Sequence, residues 1–261
     1  MTAASRPAVV INADDLGRSP RVNEAIFEAF RRGLITSASV MSNMPAFDEA
    51  CSTIRALGLQ GRIGVHLNLT QGEPLSEPIR NCPRFVGADG SLRRRHGTIW
   101  RLTNDEATAV AVELSAQMDA VLAHGISPSH LDSHHHVHTQ WPISTLTIRL
   151  AHRYGVPALR LTRNCGPGPG WARRAYKVAF NTRLRREHLA RVRYFGSARD
   201  AAFLPRLGGP IEIMVHPELD EGGVVVDAVS GAGLFDDAES LETVIARWQG
   251  IGLLVSHREL E

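Results

Sequence analysis

The sequence predicts an α/β fold, and within that class a (β/α) barrel, on two observations. Short apolar, β-branched runs alternate with amphipathic helical segments along the chain. That order implies parallel strands joined by right-handed crossovers. On its own it fits an open doubly wound sheet as well as a barrel. The second observation favours the barrel. Asp14 and Asp15, His66, His134 and His216 each fall at or just past the C-terminal end of a run, and barrel active sites gather on that rim.

The elements follow in order. Residues 8–13, Ala-Val-Val-Ile-Asn-Ala, read as a buried strand of a parallel sheet. Gly17 permits a turn, and Ser19-Pro20 reads as an N-cap with proline at the first helical position. Val22, Ile26, Phe27 and Phe30 then recur at helical spacing up to Gly33. Residues 37–41 are a second strand, 45–57 a second helix and 62–67 a third strand. A long stretch rich in Gly, Pro and Arg spans 70–103. A loop of that length in a compact domain is usually functional or disordered. Because it starts beside His66, we read it as a substrate-covering loop. Asn104 caps an alanine-rich helix to about residue 124, and 128–132 is a fourth strand. A helix over 142–154, a strand over 157–161 and an arginine-rich helical segment over 171–193 come next. A strand over 211–217 ends in His216-Pro217, and a helix over 237–248 and a strand over 252–255 close the chain. The whole of 1–261 reads as one catalytic domain with the 70–103 loop as an insertion.

Bulk composition excludes several classes. With 29 basic and 27 acidic residues, global charge implies no nucleic-acid partner. The three cysteines, Cys51, Cys82 and Cys165, form neither a disulfide framework nor a Cys-x-x-Cys zinc site, which suits a reducing cytoplasm. Residues 1–7 lack the apolar core of a signal peptide, and no apolar stretch is long enough to span a membrane.

The chemistry concentrates in Ser129-His130-Leu131-Asp132-Ser133-His134-His135-His136-Val137-His138, which holds five of the twelve histidines. Neutral imidazole is the commonest metal ligand near pH 7, and a solvated loop has no packing reason to collect five. If the run stays extended, His130, Asp132, His134, His136 and His138 share one side. They cannot all touch one ion, so one or two would be ligands and the rest would support them or contact substrate. Asp132 is placed to take the second N–H of a ligating histidine. Asp14 and Asp15 are adjacent carboxylates that repel unless a cation or proton intervenes; one can coordinate while the other stays free as a base. His66 and Asn68 lie on one side of an extended chain, and Asn68 could orient a ligand or bond substrate. One carboxylate and two histidines leave open positions for water and substrate, as catalytic metals need. Such donors suit Zn, Mn, Co, Ni or Fe better than Mg. Together these parts suit metal-assisted amide hydrolysis, with a free carboxylate as base and an imidazolium as acid.

Asn12-Ala13-Asp14-Asp15-Leu16-Gly17, Gly64-Val65-His66-Leu67-Asn68-Leu69-Thr70, the histidine run and Met214-Val215-His216-Pro217 resemble, in order, the motifs of the YdjC-like carbohydrate deacetylases. That family includes chitooligosaccharide deacetylases and deacetylases of hopanoid glycolipid synthesis. The resemblance runs from about residue 9 to 255. It implies a distorted (β/α) barrel of the polysaccharide-deacetylase, or glycoside hydrolase/deacetylase, kind. It implies removal of an N-acetyl group from an amino sugar with one divalent cation, often written as magnesium, with zinc, manganese, cobalt and nickel as alternatives. By position, Asp15, His66 and His134 look like the metal ligands, Asp14 the general base and His216 the general acid. Leu16 stands where an aromatic is usual, and Glu218 where glycine is common; neither change removes a reacting group.

Other readings make different demands. A mononuclear Fe(II) oxygenase also uses two histidines and a carboxylate, but usually on a double-stranded β-helix, and it leaves Asp14 and His216 idle. A metal-dependent phosphoesterase commonly binds two metals, where this ligand count favours one. A non-enzymatic carbohydrate- or metal-binding module does not explain paired aspartates beside a histidine cluster. The expected partner is an N-acetylated amino sugar, on an oligosaccharide or glycolipid. The arginines of 171–193, Arg173 and Arg174 among them, are a solvated helix face or a contact for a membrane or lipid-linked substrate. A homodimer is compatible with the sequence.

Overall fold

The apolar run that opens the chain becomes the central strand of the sheet. The computed structural model describes residues 7–94, 97–166, 170–198, 200, 208–228, 240–249 and 252–260. In it, β1 (Ala8–Leu16) is buried from Val9 onward, as a parallel sheet covered on both faces requires. It pairs with β2 (Ser37–Val40) on one side and β6 (Ile211–Val215) on the other. Beyond β2 come β3 (Ile63–Leu67) and β4 (Leu131–Ser133); beyond β6 comes β5 (Tyr194–Ser197). A short strand, β9 (Leu253–Leu254), pairs with the start of β1. All of these pairings are parallel.

The extended segment 158–165 bridges the two sheet edges. Leu159 pairs with Leu131 of β4, and the Asn164 amide donates to the Phe195 carbonyl of β5 at 3.0 Å. The sheet therefore curls into the distorted (β/α) barrel expected. Helices α1 (Pro20–Arg31), α2 (Phe47–Ala56), α3 (Glu77–Arg80), α4 (Asn104–Ala123), α5 (Trp141–Tyr154), α6 (Trp171–Arg186) and α7 (Leu241–Gln249) complete the fold. No helix among the described residues is long and apolar enough to cross a membrane.

Local sequence explains the main turns. Ser19 caps α1 by accepting from the Val22 amide, with Pro20 behind it. Gly17 sits at φ +90, and a Cβ there would lie 3.0 Å from the Met41 carbonyl oxygen. Thr103, not Asn104, caps α4, in a reciprocal box with Glu106.

Two sequence expectations change, and one hairpin is new. Residues 157–161 make a single bridge instead of a strand, because their neighbours on the two sides come from different edges. The arginine-rich helix stops at Arg186 instead of running to 193. His188 takes a left-handed φ of 58, and the chain then buries Leu189, Val192 and Phe195 and enters β5. A hairpin of β7 (Pro217–Leu219) and β8 (Val225–Asp227) follows His216 without a sequence signal. The expected start of the last helix at 237 lies outside the described residues.

Where it is described, the 70–103 segment packs on the core, and Thr70, Gln71, Gly72, Leu92 and Arg94 line a cavity at the strand ends. Buried Glu113 of α4 accepts the Leu75 and Ser76 amides at 3.1 and 2.7 Å. Gln117, one turn on, bonds the Asn68 amide and carbonyl at 2.8 and 2.6 Å. Ile79, Phe85, Leu92 and Ile99 enter the main core.

Gly64 of β3 is needed for packing. A Cβ there would lie 2.4–2.6 Å from the His130 ring, which is itself stacked on His257 at 4.0 Å. Gly64→Ala should therefore destabilise the fold by about 1–3 kcal/mol, read as a lowered urea midpoint. An unchanged midpoint would show that the ring can move aside.

Candidate active site

The candidate site is built from strand ends. Between Ala13 and Leu16 the register of β1 on β2 slips by one residue, a bulge that re-aims the side chains it contains. Asp15 sits in it at φ +70, a conformation costing a non-glycine residue about 1–2 kcal/mol and concentrated at functional sites. The bulge sends the two aspartates to different partners.

Asp15 meets two histidines. His134 Nδ1 lies 2.8 Å and His66 Nε2 3.2 Å from its Oδ1. This buried oxygen takes no hydrogen bond of normal geometry. One ligand atom from each of the three residues falls within 4.8 Å of the others. Bonds of about 2.0–2.2 Å to one tetrahedral ion would set ligand atoms roughly 3.3 Å apart, so these residues fit a cation. His66 is oriented from behind, with Nδ1 2.8 Å from Asp132 Oδ1 and Ser39 donating to Asp132 Oδ2 at 2.9 Å. That bond leaves Nε2 facing Asp15, as the second partner of a ligating histidine commonly does. Burial opposes charge on His66, but the carboxylates of Asp132, Asp15 and Asp14 overcome it and raise its pKa to about 10.

Asp14 is held by Arg160, which sequence reading missed. Arg160 donates to Asp14 Oδ2 at 2.6 Å and Oδ1 at 2.7 Å, and Asn12 Nδ2 adds a bond to Oδ1 at 2.9 Å. Burial alone would raise the Asp14 pKa; the charge and hydrogen bonds of Arg160 outweigh it and hold the carboxyl far below the usual range. Arg160 also donates Nε to Glu212 at 2.6 Å and lies 2.7 Å from Asp132 Oδ2, with its guanidinium over Phe195. The available signal was a charged residue inside an apolar strand-like run, once at Arg160 and again at Glu212.

The histidine run does not stay extended. β4 ends at Ser133, and His134–Thr139 is a tight turn with His135 and His136 at φ 50 and 54. The alternation expected for it therefore fails. His134 and His136 line the cavity. His136 is kept neutral, its pKa lowered to about 4 by burial and then by Arg160, and its Nδ1 has no partner. His138 instead secures the turn, bonded to Ser133 Oγ and the Arg160 carbonyl. His130 is buried away from the cavity against His257. Asn68 is also structural. Its Oδ1 accepts from Thr70 and Gln71, and its Nδ2 donates to Asn43 and the Gln71 carbonyl. His130, His138 and Asn68, expected to support ligands or contact substrate, are not among the residues lining the cavity and make packing and loop-ordering contacts, and Asp132 bonds the back of His66.

A cavity of about 690 Å³ joins these groups. Asp14, Asp15, His66, His134 and His216 all line it. His216 has a buried Nδ1 without a partner, and its backbone amide is anchored on Asp227 at 2.8 Å. A second set, Asp14, His66 and Asp132, is close enough for a cation, but Arg160 already places its guanidinium between the two carboxylates. Among the described residues, the Asp15, His66 and His134 set is the one whose ligand atoms no guanidinium separates.

Comparison with known proteins agrees with this geometry. A carbohydrate deacetylase of Halalkalibacterium halodurans is 35% identical over 164 residues, covering 60% of this chain and 65% of that protein. One from Geobacillus stearothermophilus is 37% identical, covering 60% and 61%. A chitooligosaccharide deacetylase of Salmonella paratyphi B is 36% identical, covering 59% of each. The chain thus matches less than two thirds of the length of each of these relatives. A solved structure from Enterococcus faecalis V583, described only as a candidate cellobiose-phosphate cleavage protein, shares the fold with a TM-score of 0.72 at 23% identity over 98% of both chains. A profile of the YdjC-like protein family matches residues 8–243. The chain belongs to the YdjC-like protein family.

Proposed function

We propose that this protein is a carbohydrate N-deacetylase, hydrolysing the acetamide of an N-acetylated amino sugar to free amine and acetate. The observation that carries the proposal is the division of labour in one cavity. Nitrogens of His66 and His134 converge on an Asp15 oxygen that takes no hydrogen bond, a three-donor set able to hold one ion, while Asp14 and His216 line the same cavity outside that set. The names of the relatives, all deacetylases of carbohydrates, support the same reading.

Asp15, His66 and His134 would hold one divalent cation, whose chemistry is to polarise the scissile carbonyl and acidify the attacking water. The donor set favours zinc, manganese, cobalt or nickel over magnesium. Asp14, ionised and fixed on both oxygens, orients the water and accepts its proton. The Arg160 clamp lowers its basicity, so Asp14 releases that proton to solvent in the open cavity, from which His216 recovers the one it gives to the amine. His216 in its imidazolium form protonates the departing nitrogen. His136 offers its free Nδ1 to a sugar hydroxyl. A cavity of this size suits a small saccharide. Free thiols, two of them buried, accord with the cytoplasmic setting we assign.

An oxygenase is disfavoured by the parallel sheet, and a two-metal phosphoesterase by Arg160 occupying the second cluster. Acetate release across a panel of N-acetylated sugars tests the proposal. Activity should vanish on chelation and return with an added transition metal; activity surviving complete metal removal contradicts it. Asp14→Asn should lower turnover about 10²–10⁴-fold while cation content, read by elemental analysis, stays the same. His134→Ala should lose cation and activity together. Normal turnover in Asp14→Asn would remove Asp14 from the mechanism.

A further inference from the structure

The first half of α6 is exposed almost all round. Residues 171–176 are exposed in sequence, as are Val178 and Ala179. Trp171 is 85% and Val178 60% accessible. A soluble surface rarely presents indole this openly. Trp100 and Trp141 are exposed as well, at 80% and 45%. Trp100 and Trp141 are joined to α6 by a chain of contacts. Ile99, beside Trp100, donates its amide to Gln140 next to Trp141. Trp141 packs edge-on against Tyr176 at 6.2 Å, and Tyr176 and Trp171 share α6. Only the fourth tryptophan, Trp248, is buried.

Arg183 of α6 lies over the Trp141 ring at 5.1 Å, and further cations follow Trp171 along the same helix. α6 carries six Arg or Lys and no acidic residue. Arg173, Arg174, Lys177 and Arg185 line a groove of about 750 Å³ with Arg163. Arg163 is neutralised by Asp200 at 2.8 Å; Arg173 and Arg174 form no ion pair among the described residues. Exposed indoles beside unpaired cations match the membrane–water interface, where the rings enter the headgroup layer and the cations meet anionic lipid. Two copies of this face meeting symmetrically would set arginine against arginine, and Val178 offers nothing to a polynucleotide.

We propose that α6, with Trp100 and Trp141 beside it, docks the protein peripherally on an anionic lipid surface. The Tyr176 hydroxyl donates to the carbonyl of Thr139, the last residue of the turn that carries His134 and His136. The docked face therefore adjoins the wall of the cavity. None of the proposed active-site residues lies on it.

Co-sedimentation of the full chain with vesicles tests this. Vesicles of phosphatidylcholine containing phosphatidylglycerol should bind it, pure phosphatidylcholine should not, and added salt should weaken the binding. Arg173→Glu with Arg174→Glu and Lys177→Glu should reduce binding on the order of 100-fold. Trp171→Ser with Trp100→Ser should weaken it while leaving its salt dependence. Circular dichroism of each variant checks that the fold is kept. Failure of the unaltered chain to bind anionic vesicles, or equal binding by the charge-reversed variant, overturns the proposal. So does self-association abolished by Trp171→Ser, or single-stranded RNA binding abolished by the charge reversal in a protein that ignores vesicles. Vesicle binding is read without substrate, so its failure leaves the deacetylase reading standing.

Discussion

Arg160 is the interaction on which the rest of the site depends. It is buried completely and reaches three carboxylates, from Asp14 on β1, Asp132 on β4 and Glu212 on β6. One positive charge thus ties together the ends of strands that are distant in sequence. Four buried acids, Asp15 included, face two arginines, Arg160 on three of them and Arg18 at 3.3 Å from Asp15 Oδ2, so acids outnumber guanidinium groups at the site. Removing one partner of such a cluster strands the others, typically at 3–5 kcal/mol. The guanidinium serves both the closure of the barrel and the chemistry on its rim. It sits in the segment that bridges the sheet edges, and it fixes the orientation of the Asp14 carboxylate beside Asp15, His66 and His134.

The β1 bulge complements that constraint. A regular strand would send Asp14 and Asp15 to opposite faces. The slip of register keeps both on the cavity, one toward Arg160 and the other toward His66 and His134. The cost is a left-handed aspartate, held by the surrounding core. His66 receives its orientation from Asp132, and Asp132 is held by Ser39 and Arg160. Asp15, His66, Asp132, Ser39 and Arg160 therefore form one continuous network, in which the candidate ligands are not positioned by their own strands alone.

Much of this was legible in the sequence because it rests on local patterns. Apolar runs gave the central strands, Ser19-Pro20 the start of α1, and ligand-type residues after the runs the catalytic rim. What was not legible rests on tertiary partners. Arg160 and Glu212 sit in runs that read as buried strands, and their pairing cannot be known until the barrel closes. The histidine run follows period two only to Ser133, since the turn after it depends on His138 bonding back to Ser133 Oγ. His130 and Asn68 carry ligand chemistry but are spent on a ring stack and on ordering the loop after β3. β5 was hidden by the arginine-rich helix before it, whose end is marked only by a left-handed His188.

The central claim is that three side chains share one cation while Asp14 stays with Arg160. Anomalous diffraction from crystals grown with zinc or manganese tests it most directly. The account predicts one strong peak about 2.0–2.2 Å from Asp15, His66 and His134, with the Asp14–Arg160 pair intact. A peak centred between Asp14 and Asp132, or two peaks in the cavity, would contradict it.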